Sequence, residues 1–445
     1  MNCNSTPTIL FISPQAYGHL IKTVKIARFF EKKGANIHYL VQGNNSYFFD
    51  ENKFAFNSLE SSAFGYNTKK IKDKNKLKAW WNELKERNFS TRFNARKEEI
   101  ESYLTALNPT HIFIDIFCIS DFLFCYQFAK KTNAKIIGIT PFYPEIANSK
   151  IPPLNYYAFP GKDTPTIWAE KISKNKSRKI KQRLRFPFRS DTALINKALK
   201  KLSIPKCHTP IYLERFPIFQ EIDFWYLQPK ELDFEGQTLP ENHHYMGPLI
   251  DTDIIEEQNT RFDFFMKLKS KNASNKLIFC SLGSVISQLI SNEEIESFFN
   301  KIIEIGKNNP TWFIAIKAPK NLVKQLKPKS LNVMIFDYLP YQQLMSLADV
   351  FISHGGGNSY LEAIYEKTPL LIVPPIDYWD YNGVAARCVN KKIAIKQDFN
   401  TSSNVISESI SLLLNDDSYK NEIIKLNEEI NKLYPKNYLD QYITF

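Results

Sequence analysis

The chain has 445 residues, 43% hydrophobic and 23% charged, with a formal net charge of +12. That composition is ordinary for a folded globular protein, and the length calls for two domains of roughly 200 residues each rather than one core. The basic balance favours anionic partners such as nucleotides, phosphorylated lipids, membrane surfaces or nucleic acid, but no nucleic-acid-binding module accompanies it.

The N-terminal segment MNCNSTPTILFIS has no basic stretch and passes directly into a strand, so no signal peptide is expected. Thr8 to Ile12 reads as that strand and Ser13 to Gly18 as a turn. His19 to Lys33 shows helical spacing of Leu20, Val24, Ala27 and Phe30, and Gly34 fits the position just past the helix end. Asn36 to Val41 is the next strand. His111 to Asp115 and Lys135 to Ile139 are apolar strands flanking a helical stretch. Asp115 and Asp121 interrupt the apolar run His111 to Ala129, which favours a buried strand and packed helix over a membrane span.

Glu145 to Asp223 is the least regular part, rich in aromatics, Pro and Lys/Arg; in doubly wound proteins such insertions sit around the ligand cleft. Within it, Lys171 to Arg189 holds nine Lys/Arg and no acid, interspersed with Ile172, Ile180, Leu184, Phe186 and Phe188. A solvated helix and loop is the plainer reading of this segment, and docking on an anionic membrane surface the sharper alternative. Pro248 to Asp263 is acidic, with little periodicity, as in a linker. The second half then repeats the plan: a strand at Lys276 to Cys280, the loop Ser281-Leu-Gly-Ser284, and a helix at Asn292 to Asn308. Further strands are predicted at Thr311 to Lys317, Val333 to Phe336, Val350 to Ser353 and Leu370 to Val373. Asn415 to Phe445 reads as helical, then aromatic. Strands alternating with helices in both halves argue for parallel sheets covered on both faces. The six cysteines (Cys3, Cys118, Cys125, Cys207, Cys280 and Cys388) show neither C-x-x-C nor framework spacing, as expected of reduced core thiols in a cytosolic protein with no zinc site.

The segment Phe351-Ile-Ser-His-Gly-Gly-Gly-Asn-Ser-Tyr-Leu-Glu362 carries the chemistry. A strand ends at Ser353, three glycines bring the backbone close to a ligand, and Asn358-Ser359 opens a helix whose free amides suit a phosphate. His354 can donate to the same phosphate, and Glu362, one turn into the helix, can take both hydroxyls of a ribose. A turn and helix cap would explain a lone Gly-Gly-Gly. Together, His, Gly, Ser and Glu at these spacings suit a diphosphate and a ribose.

His354-Gly-Gly-x-Asn-Ser-x-x-Glu362-Ala, followed by Pro369, Pro374 and Asn382, resembles the donor-binding motif of the UDP-glycosyltransferase family, in its bacterial, macrolide-transferase-like form. Asn332-Val-Met-Ile-Phe-Asp-Tyr-Leu-Pro340 and Tyr245-Met-Gly-Pro-Leu249 resemble further family segments. The resemblance spans most of the chain. It implies a GT-B fold, two Rossmann-like doubly wound domains facing each other across a cleft: residues 1–244 for the acceptor, a linker at 245–275, residues 276–430 for the nucleotide sugar, and 431–445 packing back on the first domain. It also implies Tyr338 stacking on uracil, Ser284 near the β-phosphate, and His354, Gly356, Asn358, Ser359 and Glu362 on diphosphate and ribose. Family members carry an acid-Gln pair four and three residues before the Asn; Tyr378 and Trp379 stand there, flanked by Asp377 and Asp380. Asp377, Trp379 and Asn382 are the candidates for the sugar. Trp379 packs on the sugar face or is simply core. Tyr341 also replaces a Gln, and Lys367 stands where Gly is common.

The family's base lies in a Gly-His after the first strand, which Gly18-His19 matches, with Lys22 in place of the usual Pro. Asp115, after Asn108-Pro109, resembles the carboxylate that orients this base. A His packing or capping at a helix start is the plainer alternative. Asp121 is the weaker candidate, expected to cap the following helix. Asp251-Thr-Asp253 matches a metal-binding D-x-D in form, but its linker position makes it a solvated pair. The resemblance therefore implies an inverting, metal-independent enzyme with no cofactor beyond a UDP-sugar, UDP-glucose first, acting on a hydroxyl of a hydrophobic small molecule or lipid. Phe142, Tyr143 and Trp225 are the candidates for the acceptor wall. A sugar-nucleotide epimerase and a catalytically impaired binding protein of the same fold are the alternatives. The expected location is cytoplasmic, extended to the inner membrane face if the basic segment docks there.

Overall fold

In the computed structural model, residues 6–43, 46–65, 75–208, 210–212, 216–250, 259–283, 285–328, 330–377, 380–435 and 437–442 are described. The chain divides into two compact units. Met1–Ala147, Thr166–Gln228 and Thr238–Leu249 form the first, and Asn148–Pro165, Pro229–Gln237 and Ile250–Phe445 form the second.

The first unit is built on strands β1 (Thr8–Pro14), β2 (Asn36–Gln42), β3 (Ala55–Leu59), β4 (His111–Asp115) and β5 (Lys135–Thr140). A short antiparallel pair follows, β6 (Pro210–Tyr212) with β7 (Pro217–Phe219), and then β8 (Asp223–Tyr226) and β9 (His243–Tyr245). The main sheet runs β3-β2-β1-β4-β5-β8-β9 with every pairing parallel. Ile9 to Ile12 of β1 are fully buried in one unbroken apolar run, as a strand covered on both faces requires. Phe11 stacks on Tyr39 of β2 and Phe113 of β4 at 4.7 and 4.9 Å, tying the sheet centre together. The first helix spans Tyr17–Lys32, beginning two residues before the expected His19 and so taking Gly18 into its first turn. It stops where expected: Gly34, at φ +85°, turns the chain out of the helix.

The least regular stretch of the sequence holds a 22-residue helix, Thr164–Arg185, and a second at Asp191–Lys201. Most side chains of the longer helix face solvent, so it carries no wide apolar stripe, while its Lys, Arg and Gln are good helix formers in their own right. Lys171 is anchored on it by an ion pair with Glu145.

The second unit contains β10 (Lys276–Ser281), β11 (Trp312–Lys317), β12 (Val333–Phe336), β13 (Val350–Ser353), β14 (Leu370–Ile372) and β15 (Ala394–Lys396). Their order is β12-β11-β10-β13-β14-β15, again parallel throughout. The helix Asn292–Asn308 is the one read from the sequence. Ser291 and Glu294 close a reciprocal capping box at its start, and Ile295, Phe298, Phe299, Ile302 and Ile305 fill the core beneath it. Part of the stretch expected as a linker is helical instead. Thr260–Lys269 forms a helix capped by Asn259 and buries Phe262 and Phe265.

Two excursions of the chain belong to the second unit because of what they bury. Asp233 accepts from Arg387 Nε at 2.8 Å, both side chains 1% exposed, on the helix Tyr381–Asn390. Phe234 lies under the same guanidinium at 4.8 Å, and Ile151 and Phe234 pack on Ala386. At Gly383 a Cβ would come within 2.0 Å of the Leu154 carbonyl oxygen, so only glycine admits that backbone approach. No helix among the described residues is long and apolar enough to cross a membrane.

In each sheet the strand order reverses once, between β1 and β4 and between β10 and β13. Crevices at the carboxyl ends of strands open at these reversals, where ligands of open α/β sheets bind.

Candidate functional site

At the reversal in the first sheet, β1 leads through a short loop into the first turn of helix Tyr17–Lys32, which carries His19. The neighbouring strand β4 ends at Asp115, whose carboxylate is 1% exposed. Its Oδ1 accepts the Phe117 N–H at 2.8 Å and so caps the 3-10 turn Ile116–Asp121. Its Oδ2 accepts from His19 Nδ1, also at 2.8 Å. A carboxylate can only accept here, so Nδ1 carries a proton, and in the neutral ring Nε2 then keeps the lone pair. Sequence spacing alone could not bring these two residues, 96 positions apart, into contact; the parallel β1–β4 pairing does.

Aromatic rings surround this imidazole. Phe117 lies 4.3 Å from it, centroid to centroid, and Phe142 meets it edge-on at 5.5 Å. Phe216 stacks on Phe117 at 4.7 Å. Phe117 and Phe216 escaped the sequence reading because neither sits in a recognisable motif. Ser13, at the end of β1, is buried, and its hydroxyl has no hydrogen-bond partner among the described residues. Lys22, one turn after His19, is buried and donates to the Leu227 carbonyl at 3.2 Å.

Three expectations for this unit need correction or refinement. Trp225 is 2% exposed and packs on Phe113 at 5.3 Å. It sits on β8, an interior strand between β5 and β9, so it belongs to the core and not to an acceptor wall. Tyr143 is likewise buried, which leaves Phe142 as the candidate next to His19. Asp121 does not cap the following helix. Both of its oxygens are taken by Arg96, through Nε at 2.9 Å and Nη2 at 2.6 Å, in a fully buried fork.

At the reversal in the second sheet, β10 and β13 pair Ser281 with Ser353, and the loops beyond them meet at His354. The His354 ring is wedged between two glycines. A Cβ on Gly283 would lie 2.4 Å from Cε1, and one on Gly356 would lie 2.3 Å from Nε2. Burial lowers the His354 pKa to about 4, so its ring is neutral near pH 7. Its Nδ1 is buried without a hydrogen-bond partner among the described residues. Tyr381 meets the ring edge-on at 5.2 Å.

The helix after the glycines, Ser359–Tyr365, is only seven residues long, and Asn358 precedes it without a side-chain cap. Glu362 lies in its first turn, half-buried. Tyr341, which replaces the family's Gln, shares a hydrogen bond with the Ser359 side chain. Desolvation and the nearby Glu362 carboxylate hold its phenol well above the usual value. Tyr338, 38% exposed, lies between β12 and the helix Tyr341–Leu347, and its carbonyl accepts from Asn259 Nδ2 at 3.0 Å. Asp377 is exposed and accepts from the buried Asn382 Nδ2 at 2.9 Å. Ser284, Tyr378, Trp379 and the pair Asp251 and Asp253 lie outside the described residues. Among the described residues, no three His, Cys, Asp or Glu side chains come together as a metal site would need.

Residues 214–445, just over half of the chain, match the family model described as "UDP-glucoronosyl and UDP-glucosyl transferase". The chain belongs to that family. Among relatives, human UDP-glucuronosyltransferase 2B28 is 30% identical over 158 residues, 35% of this chain and 28% of that protein. The zeaxanthin glucosyltransferase of Pantoea ananas is 25% identical over 198 residues, 44% of this chain and 42% of that protein. The chain thus spans less than half the length of these curated relatives. The solved structure of the glycotransferase of kitacinnamycin superposes with a TM-score of 0.67 at 15% identity, covering 97% of this chain and 96% of that one. The two doubly wound sheets expected from the sequence are therefore those of a GT-B fold. The UDP-glycosyltransferase match takes in His354, Glu362 and Asn382, while His19 and Asp115 lie ahead of it.

Proposed function

We infer that the protein transfers a sugar, glucose first, from a UDP-sugar to a hydroxyl of a hydrophobic small molecule or lipid, with inversion at the anomeric carbon and without a metal. The observation that carries this is the His19–Asp115 contact, a buried carboxylate holding an imidazole in one tautomer at the end of β1. In the reaction, the acceptor oxygen attacks C1 of the sugar as His19 Nε2 takes its proton. The bond from C1 to the UDP oxygen breaks, and UDP leaves with the electron pair. Asp115 stabilises the imidazolium that forms.

The roles proposed on the donor are those the family resemblance implies, supported by the local chemistry. The orphaned His354 Nδ1 and the Gly356 approach suit the diphosphate, with Asn358, Ser359 and Ser284 beside it. Glu362 takes the ribose hydroxyls and the half-exposed Tyr338 stacks on the uracil. Asp377, Trp379 and Asn382 read the sugar, and Gly18 leaves room beside the base. Residues 1–244, apart from the excursions Asn148–Pro165 and Pro229–Gln237 that belong to the second unit, supply the acceptor side and residues 276–430 the donor side. The rings of Phe117 and Phe142 beside His19, with Phe216 stacked on Phe117, favour an apolar acceptor. A relative named for zeaxanthin points the same way. The setting is cytoplasmic, with the basic segment Lys171–Arg189 in contact with an anionic membrane.

The test is to supply UDP-glucose with and without a panel of hydrophobic alcohols and to follow UDP release. Release stimulated by an alcohol, with the glucoside recovered, supports transfer. Conversion of UDP-glucose to an isomer identifies an epimerase, and UDP-glucose binding without turnover identifies a binding protein; either contradicts the inference.

A further inference from the structure

The helix Thr164–Arg185 presents a face left exposed among the described residues. At 100° per residue, Ser173, Ser177, Ile180 and Leu184 fall on one line along it. Lys181 flanks that line on one side, beside Lys174, which is paired with Glu170, and Arg185, while Lys176 and Arg183 flank it on the other. Ile180 is exposed, and Leu184 is 77% exposed. The turn beyond the helix ends in Phe188, 95% exposed and held at φ 58°, a left-handed backbone that a bulky side chain rarely adopts. The turn itself is fixed. Phe186 is buried beneath the Arg87 guanidinium at 4.4 Å, and Arg87 also bonds the Arg189 carbonyl and Asp191.

A second helix, Lys76–Glu86, is tied to the same end. Trp80 Nε1 donates to the Arg185 carbonyl at 2.9 Å, Arg185 pairs with Glu83 at 2.7 Å, and Arg189 donates to the Leu84 carbonyl. On the adjoining flank of that helix, Leu77 is 77% exposed and Trp81 51% exposed, with the Lys85 ammonium near the Trp81 ring. Exposed Leu, Ile, Phe and Trp rimmed by Lys and Arg are poorly suited to water. They match an interface where apolar side chains enter the acyl boundary and cations meet anionic headgroups.

We propose that this end of the first unit, with Leu184 and Phe188 at its tip and the Lys/Arg of helix Thr164–Arg185 around it, docks the protein on an anionic bilayer surface. The occupant is a bilayer because the charge is one-signed over nineteen residues and the apolar side chains stand at a helix end and turn tip rather than in a groove. The proposal rests on the reading of the acceptor as hydrophobic, since a transferase docked there meets an acceptor dissolved in the membrane without drawing it through water.

The test is flotation of the full chain with phosphatidylcholine vesicles, with and without phosphatidylglycerol. Wild type should float with the anionic vesicles only. Leu184→Glu/Phe188→Glu should weaken binding at least about tenfold. Lys176→Gln, Lys181→Gln and Arg183→Gln should each weaken it about fivefold, the equivalent of one headgroup contact. UDP affinity and UDP release with a water-soluble acceptor, measured on the same proteins, should not change. Absence of flotation, equal flotation with neutral vesicles, binding indifferent to the double variant, or self-association of wild type through this face overturns the proposal. Turnover that persists without flotation leaves the transferase reading standing. Flotation without turnover on any acceptor sinks that reading alone.

Discussion

Asp115→Asn alters the character of one carboxylate oxygen and leaves the shape of the side chain intact. The oxygen that accepts the Phe117 N–H at 2.8 Å survives as the amide oxygen, so the turn after β4 keeps its cap. The other oxygen becomes an NH2 facing His19 Nδ1 across 2.8 Å. Two donors cannot share that contact. The imidazole must accept at Nδ1 and carry its proton on Nε2, and the lone pair meant for the acceptor's proton is lost. General-base catalysis is worth about 100- to 10,000-fold. The barrier should therefore rise by about 3–5 kcal/mol, with kcat falling accordingly and KM for the donor little changed. Initial rates of UDP release at saturating UDP-glucose give kcat, and urea unfolding of the same samples shows that the fold is retained. A variant with wild-type stability and an undiminished rate refutes the tautomer reasoning.

Other consequences are equally specific. Arg96→Met strands the buried Asp121 carboxylate and should cost about 3–5 kcal/mol of stability, read as a lower urea midpoint; an unchanged midpoint contradicts it. Near pH 7, Gly356→Ala drives a methyl into the His354 ring and should weaken UDP binding in titration calorimetry while costing about 1–3 kcal/mol of stability. Unaltered UDP affinity would show that the ring is not part of the donor site. The third concerns acid. Native His354 resists protonation until about pH 4, whereas the unfolded chain takes that proton near 6.5, so stability drains away as pH falls through this window. The loss approaches about 3 kcal/mol at its lower end and is absent above pH 7. His354→Gln should flatten that part of the urea-midpoint profile, and a profile as steep as wild type argues against it.

The parts legible in the sequence were those with dense local signals. Runs such as His111–Asp115, Val333–Phe336 and Val350–Ser353 are mainly apolar because both faces of each sheet are covered, and they coincide with β4, β12 and β13. The helix Asn292–Asn308 was equally plain, with its Ser and Glu box and apolar periodicity. Helix Thr164–Arg185 was legible only in part, as a solvated helix and loop at Lys171 to Arg189, because it buries only a narrow stripe and leaves no wide hydrophobic period to fix its ends. Strands β8 and β9, Asp-Phe-Trp-Tyr and His-His-Tyr, lack the aliphatic run that marks the other buried strands. Trp225 looks like an acceptor contact in sequence because aromatic clusters look alike there; its strand position makes it core. At the site, Gly-His and the terminal Asp of β4 could be named from the chain. Their 2.8 Å contact and the Phe117–Phe216 stack depend on strand order and long-range packing, which local spacing does not encode.

The central claim is that His19 is the base of a UDP-sugar transferase, and a comparison of wild type with His19→Ala tests it most directly. UDP affinity by calorimetry and acceptor-dependent UDP release are measured on both proteins. UDP affinity should be equal, while release should fall at least about 100-fold in the variant. Equal release from both, or no UDP binding by the wild type, would contradict the claim.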